Sequence, residues 1–108
     1  MNKGEIWLVN LPEWTGREQI GTRPALLMTE TIAGLIILIP LTSNLKNLQY
    51  PYTIKFLPSI INGLSKESVA LLFHIRSVDA RRMIHKIGTL EERYVQETDR
   101  ILKNILQL

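Results

Sequence analysis

A chain of 108 residues with 13 Lys and Arg against 10 Asp and Glu, a net charge of +3 and no cysteine reads as one domain, 1–108, able to bury a single core. The missing cysteine excludes disulfides and thiolate metal sites. The apolar run before Pro40 is too short to span a bilayer, and no charged and apolar leader precedes the first strand pattern, so a soluble cytoplasmic protein with no membrane partner is expected.

In chain order, Glu5 to Asn10 carries Ile6, Trp7, Leu8 and Val9, aromatic and β-branched types that predict a first strand. Leu11 to Gly21 is a long connection, and connections of that length in a compact domain are usually functional or mobile. The stretch Gly16 to Leu27 sets two glycines, a carboxylate and an arginine ahead of an apolar run. Gly16 and Gly21 allow a tight loop that presents Arg17, Glu18 and Gln19 together. Pro24 forces Arg23 into an extended conformation and is expected to mark the beginning of a strand, not its middle. Arg23 then stands at a strand mouth. Its planar fork suits phosphate oxygens there; it could equally pair with Glu18 and close the loop.

Ala25 to Thr31 and Leu35 to Leu41 read as two central strands, buried on both faces and joined by a hairpin that turns at Gly34. The second runs out in Pro40-Leu41-Thr42-Ser43-Asn44, where polar side chains face solvent or a ligand. Leu45 to Tyr50 is expected to be a surface loop, Pro51 to Phe56 a strand opening at its proline, Pro58 to Gly63 a short helical turn, and Ser65 to Glu67 a turn. Ser68 to Phe73 is another buried strand that runs on through Val78. A short helix capped by Asp79 and a last strand, Ile84 to Thr89, follow. Thr89-Leu90-Glu91-Glu92 reads as a capping box, beyond which Tyr94, Val95, Thr98, Ile101, Leu102, Ile105 and Leu106 recur at helical spacing. Connections too short for helical crossovers make the sheet antiparallel. The expected architecture is a strongly bent sheet or partly open barrel with a helix across it.

Gly4-Glu5-Ile6-Trp7-Leu8-Val9, then Gly16-x-Glu18-Gln19-x-Gly21-x-Arg23-Pro24-Ala25-Leu26, then Pro40-Leu41-Thr42-Ser43 and Ile75-Arg76-Ser77-Val78-Asp79 together resemble a MazF/PemK (Kid)-type toxin of a type II toxin-antitoxin system, over nearly the whole chain. The resemblance implies a mainly β fold with helices, a small SH3-like or CcdB-like antiparallel β-barrel with a C-terminal helix. It implies a homodimer, a metal-independent endoribonuclease that cuts single-stranded mRNA at a short recognition sequence without a cofactor, and inhibition by a partly disordered acidic antitoxin. The family's active-site arginine and threonine fall on Arg23 and Thr42. Around them, RNA binding is expected of Arg17, Glu18, Gln19, Ser43, Pro51, Thr53, His74 and Arg76. Where the Kid branch carries a histidine, an arginine and an aspartate, this chain has Arg17, Leu71 and Phe73, so that branch's acid and base are missing.

Cleaving RNA without a metal uses its own 2′-hydroxyl as nucleophile and needs positive charge on the phosphate, a proton acceptor and a proton donor. Arg23 supplies charge, and Thr42 or Ser43 hydroxyl donors. Proton transfer falls to Glu18, His74 or His85, the groups that titrate near neutrality with modest tuning, although either histidine could equally be a surface or core-edge residue without a role. Trp14 could stack a base, cover the sheet or face a second subunit. The alternative from another class is a contact-acting protein of the same fold, a CcdB-like gyrase poison or a silent antitoxin binder. Such poisons are expected to carry a tryptophan near the C-terminus, and this chain ends Ile105-Leu106-Gln107-Leu108.

Overall fold

The computed structural model describes residues 1–11 and 21–108, and its core is organised by three strands, β1 (Glu5–Leu11), β2 (Gly21–Glu30) and β3 (Leu35–Thr42). All three pair antiparallel, with Ile6 opposite Leu26 and Leu26 opposite Ile39. Successive side chains on a strand point to opposite faces, so Ile6, Leu26, Ile39 and Leu41 gather on one side while Val9, Leu11, Ala25, Leu27 and Leu38 gather on the other. Both sets are buried, which is why these strands read as continuous apolar runs. The hairpin turns where expected, at Gly34, whose φ of +78° is left-handed and open to glycine.

Four further strands complete the sheet: β4 (Thr53–Phe56), β5 (Ser68–Leu71), β6 (Arg76–Asp79) and β7 (Met83–Thr89). The order is β4-β5-β3-β2-β1-β7, with β6 also on β3. The end strands β4 and β7 do not meet, so the antiparallel sheet bends without closing into a complete barrel. The C-terminal helix α1 (Glu92–Leu106) lays Tyr94, Val95, Ile101, Leu102 and Ile105 on the first face, where β4 and β5 add Ile54, Phe56 and Ala70. Among the described residues no helix is long and apolar enough to cross a membrane.

Several local expectations change for physical reasons. Pro24 lies inside β2, opposite Leu8, and not at its start. The β2–β3 ladder begins only at Ala25, so on that side a missing N–H at Pro24 interrupts nothing. Pro40 is tolerated similarly: β3 pairs with β6 over Leu35–Leu38 and with β5 at Leu41 and Thr42, leaving Pro40 in the gap. The continuous strand expected from Ser68 to Val78 is broken by a 3-10 turn at Leu72–His74. From Ala70 to Arg76 the chain advances six residues while its partners on β3 advance three, Leu41 to Leu38, so the excess coils into a turn. The Leu45–Tyr50 segment is a 3-10 turn over Leu45–Gln49, with the Asn44 side chain accepting from the Lys46 N–H, and not a plain loop. Pro51 precedes β4 because Tyr52 adopts a φ of +62° and interrupts the extended chain.

The Asp79-capped turn forms as expected, with Arg81 N donating to Asp79 Oδ1 at 2.8 Å. The capping box does not. Thr89 is held in the ladder opposite Glu5 and donates its N–H to Ile61, so the N-cap falls to Glu91, which makes no side-chain cap bond.

Candidate active site

The β2–β3 register sets Ala25 opposite Pro40; carried two residues further, it sets Arg23 opposite Thr42. Both side chains line one pocket of about 340 Å³ at the end of the sheet, together with Ser43, Leu64, Ser65 and Lys66. Arg23 is half-buried, and its Nε is buried with no hydrogen-bond partner among the described residues. Leaving such a donor unmatched costs about 1–3 kcal/mol, more for a charged group, so an orphan here marks a place where an acceptor from outside would be rewarded. Thr42 is buried, and its Oγ1 accepts from the Asn44 N–H at 3.2 Å. That leaves the hydroxyl hydrogen to donate. Ser43, next along, is exposed.

The far wall is a loop pinned by Asn62, a residue for which the sequence reading had no role. Asn62 is fully buried; its Nδ2 donates to Leu57 O at 2.9 Å and to Glu91 Oε1 at 3.0 Å, while its Oδ1 accepts from Ser59 N and Leu64 N, both at 3.0 Å. Burial alone would raise the Glu91 pKa, but hydrogen bonds from Ser59 and Asn62 and the nearby Arg93 outweigh it and hold the carboxyl below the ordinary range. Gly63 follows at a φ of +71°, and a Cβ there would collide with the Ile87 carbonyl. The sequence signal was the Asn62-Gly63 dipeptide, a turn former.

The other expected residues lie elsewhere. Pro51 and His74 line a second pocket, about 380 Å³, with Asn47, Tyr50, Tyr52 and Phe73. Tyr50 and Phe73 meet edge to face, centroids 6.3 Å apart, and the Phe73 and His74 rings are 4.7 Å apart. Thr53 stands beside this pocket, its hydroxyl donating to Tyr50 O at 3.0 Å. Arg76 shares an adjoining depression with Phe73 and His74; burial first, and the like charge of Arg82 second, lower its pKa. His85 is exposed on β7 opposite Leu8, away from both pockets. Arg17, Glu18, Gln19 and Trp14 lie outside the described residues, as does any pairing of Arg23 with Glu18. Among the described residues no three His, Cys, Asp or Glu side chains group as a metal site would require.

The profile of the PemK-like, MazF-like toxins of type II toxin-antitoxin systems matches residues 2–106. The chain belongs to that family. It is 31% identical over 117 residues to the endoribonuclease MazF9 of Mycobacterium tuberculosis, covering all of this chain and 98% of that one. The MazF crystal structure (Form-I) from Deinococcus radiodurans superposes with a TM-score of 0.80 at 28% identity, over 100% of this chain and 97% of that one. A MazE-MazF structure from the same organism gives 0.76 at 29% identity, covering 100% and 96%. The relatives confirm the mainly antiparallel sheet with a C-terminal helix as the fold of this family.

Proposed function

We propose that this chain is the toxin of a type II toxin-antitoxin pair and an endoribonuclease that cleaves single-stranded mRNA by attack of the RNA's own 2′-hydroxyl, acting in the cytoplasm as a single-domain homodimer. The observation that carries this reading is the Arg23 guanidinium, whose Nε is buried and unmatched among the described residues, in one pocket with a Thr42 hydroxyl whose hydrogen is left to donate. A phosphate in that pocket would supply the missing acceptor. Arg23 then stabilises charge as it grows on the phosphate, worth on the order of a hundredfold in rate, with Thr42 and Ser43 orienting the oxygens. No carboxylate or imidazole is among the described residues lining the pocket, so the proton acceptor is to be sought in Glu18 or in a group brought by substrate binding. The Tyr50–Phe73–His74 pocket supplies faces for unpaired bases, with Pro51 and Thr53 at its rim and Arg76 near the backbone.

An acidic antitoxin would cover the same basic surface and compete with RNA. The deciding experiment incubates purified protein with a long RNA in EDTA and maps new 5′ ends by primer extension. Cleavage should persist, and should stop when the nucleotide 5′ of the cut is 2′-deoxy. Loss of cleavage in EDTA that magnesium restores would overturn the metal-independent mechanism.

A further inference from the structure

Lys66 lines the same pocket as Arg23 and Thr42, although no motif in the sequence pointed to it. We propose that Lys66 is a second phosphate-binding cation of this site, which grips an RNA phosphate alongside the one Arg23 takes; the inference rests on the endoribonuclease reading above.

An exposed lysine is usually a solvated, wandering charge, and three features set this one apart. Its backbone is fixed from both sides. Upstream, Leu64 is buried in the main core and gives its N–H to the buried Asn62. Downstream, the buried Ser68 hydroxyl donates to the carbonyl of Lys66 itself at 3.1 Å. Residues 64–68 therefore span one short, anchored bridge with Lys66 near its crown, which fixes where its side chain leaves the backbone at the pocket wall. Second, the charge is not spent. The neighbouring Glu67 turns to Lys55, Nζ to Oε1 3.6 Å, and among the described residues Lys66 makes no ion pair. Third, the pocket is otherwise short of charge: its remaining described lining includes hydroxyls, leucines and a proline, with no carboxylate to neutralise Lys66 or Arg23. Two like charges held at one concave wall repel each other in the free protein. An anion with more than one phosphate relieves both, and a single-stranded nucleic acid backbone is such an anion.

The test measures binding of a fluorescent single-stranded RNA, 2′-deoxy at the mapped cut so that it is not cleaved, as a function of salt. Neutralising one phosphate contact on a single strand changes the slope of log K against log salt by about 0.7. Lys66→Met should flatten the slope by about that amount, and Lys66→Arg should restore it. Lys55→Met, which removes a cation already paired with Glu67, should leave the slope at the wild-type value. Cleavage by Lys66→Met should show a raised KM with a smaller change in kcat. An unchanged slope in Lys66→Met, or failure of Lys66→Arg to restore it, overturns the proposal. If wild type binds the RNA but does not cut its cleavable counterpart, the nuclease reading falls, while the slope still decides the role of Lys66. If wild type does not bind, both fall.

Discussion

The two pockets that follow the end of β3 are made of different material. The one at Arg23 is walled by strand ends and by a loop locked through a buried asparagine, and its functional groups are cations and hydroxyls. The one at Tyr50 is built on two 3-10 turns and holds rings, an amide and an imidazole. On the reading proposed above, the difference teaches that the cation meant for the scissile phosphate and the rings meant for bases come from separate parts of the chain. The Asn62 hydrogen bonds hold the wall of the Arg23 pocket in place, and electrostatic stabilisation depends on groups that do not have to reorganise.

The sharpest way to break this division is to remove the guanidinium. Arg23→Ala should lower cleavage in EDTA by on the order of a hundredfold or more, while the melting temperature stays close to wild type, since the substitution also removes an unmatched buried donor. Thr42→Val should act in the same direction and less strongly. His74→Ala should alter which sites are cut more than how fast the cut proceeds. Were His74→Ala to cost as much as Arg23→Ala, the two pockets would be one catalytic unit and the division would be wrong.

Next in size is the loop behind the first pocket. Asn62→Ala leaves Leu57 O, Ser59 N and Leu64 N without their partner, and should destabilise the fold by roughly 3 kcal/mol, read by urea unfolding. At temperatures where the variant remains folded, RNA binding through the Arg23 pocket should weaken while the aromatic pocket, which shares no lining residue with it, is unaffected. Fluorescence of Tyr50 and Tyr52 in a ligand titration separates the two. Equal disturbance of both pockets would show that the Asn62 loop supports the whole end of the sheet.

How much of this was legible in the sequence depended on whether the determining interaction was local. The existence of the central strands, the Gly34 turn, the Asp79 cap and the amphipathic helix is set by residues a few positions apart and was legible, although β2 begins four residues before the expected Ala25. The broken β5–β6 strand was not legible, because its break is imposed by the distant spacing of partners on β3. The capping box failed for the same reason: Thr89 has the right chemistry for a cap, but Glu5 and Ile61 hold it in the sheet. At the proposed site, Arg23 and Thr42 were singled out by the family motif and the strand ends, and both line one pocket. Lys66 and Asn62 were not singled out: the Asn62-Gly63 dipeptide signals only a turn, and the contacts that anchor the two residues, to Leu64, Ser68 and Glu91, are not announced by spacing.

The smallest expected effect lies at an edge that belongs to neither pocket, and so serves as a control on both. Glu5 on β1 is buried, accepts from Trp7 Nε1 at 2.9 Å and faces Lys86 Nζ at 3.5 Å. The Trp7 hydrogen bond first of all, against the opposing effect of burial and with help from Asn2 and Lys86, holds its carboxyl below the ordinary glutamate range. A carboxyl lowered in the folded state binds fewer protons than in the unfolded chain. Its stabilisation is therefore complete above the unfolded value, about 4.3, and is lost as the pH falls through the folded one. Glu5→Gln keeps an acceptor for Trp7 but removes the charge. Melting temperatures taken from pH 7 down to pH 3 should fall less steeply below about pH 4.3 in Glu5→Gln than in wild type, with RNA cleavage at neutral pH unchanged. If the variant keeps the full acid slope, the titration that matters belongs to another lowered carboxyl, and Glu91 behind the Arg23 pocket is the one to replace next, tying acid stability to the site after all.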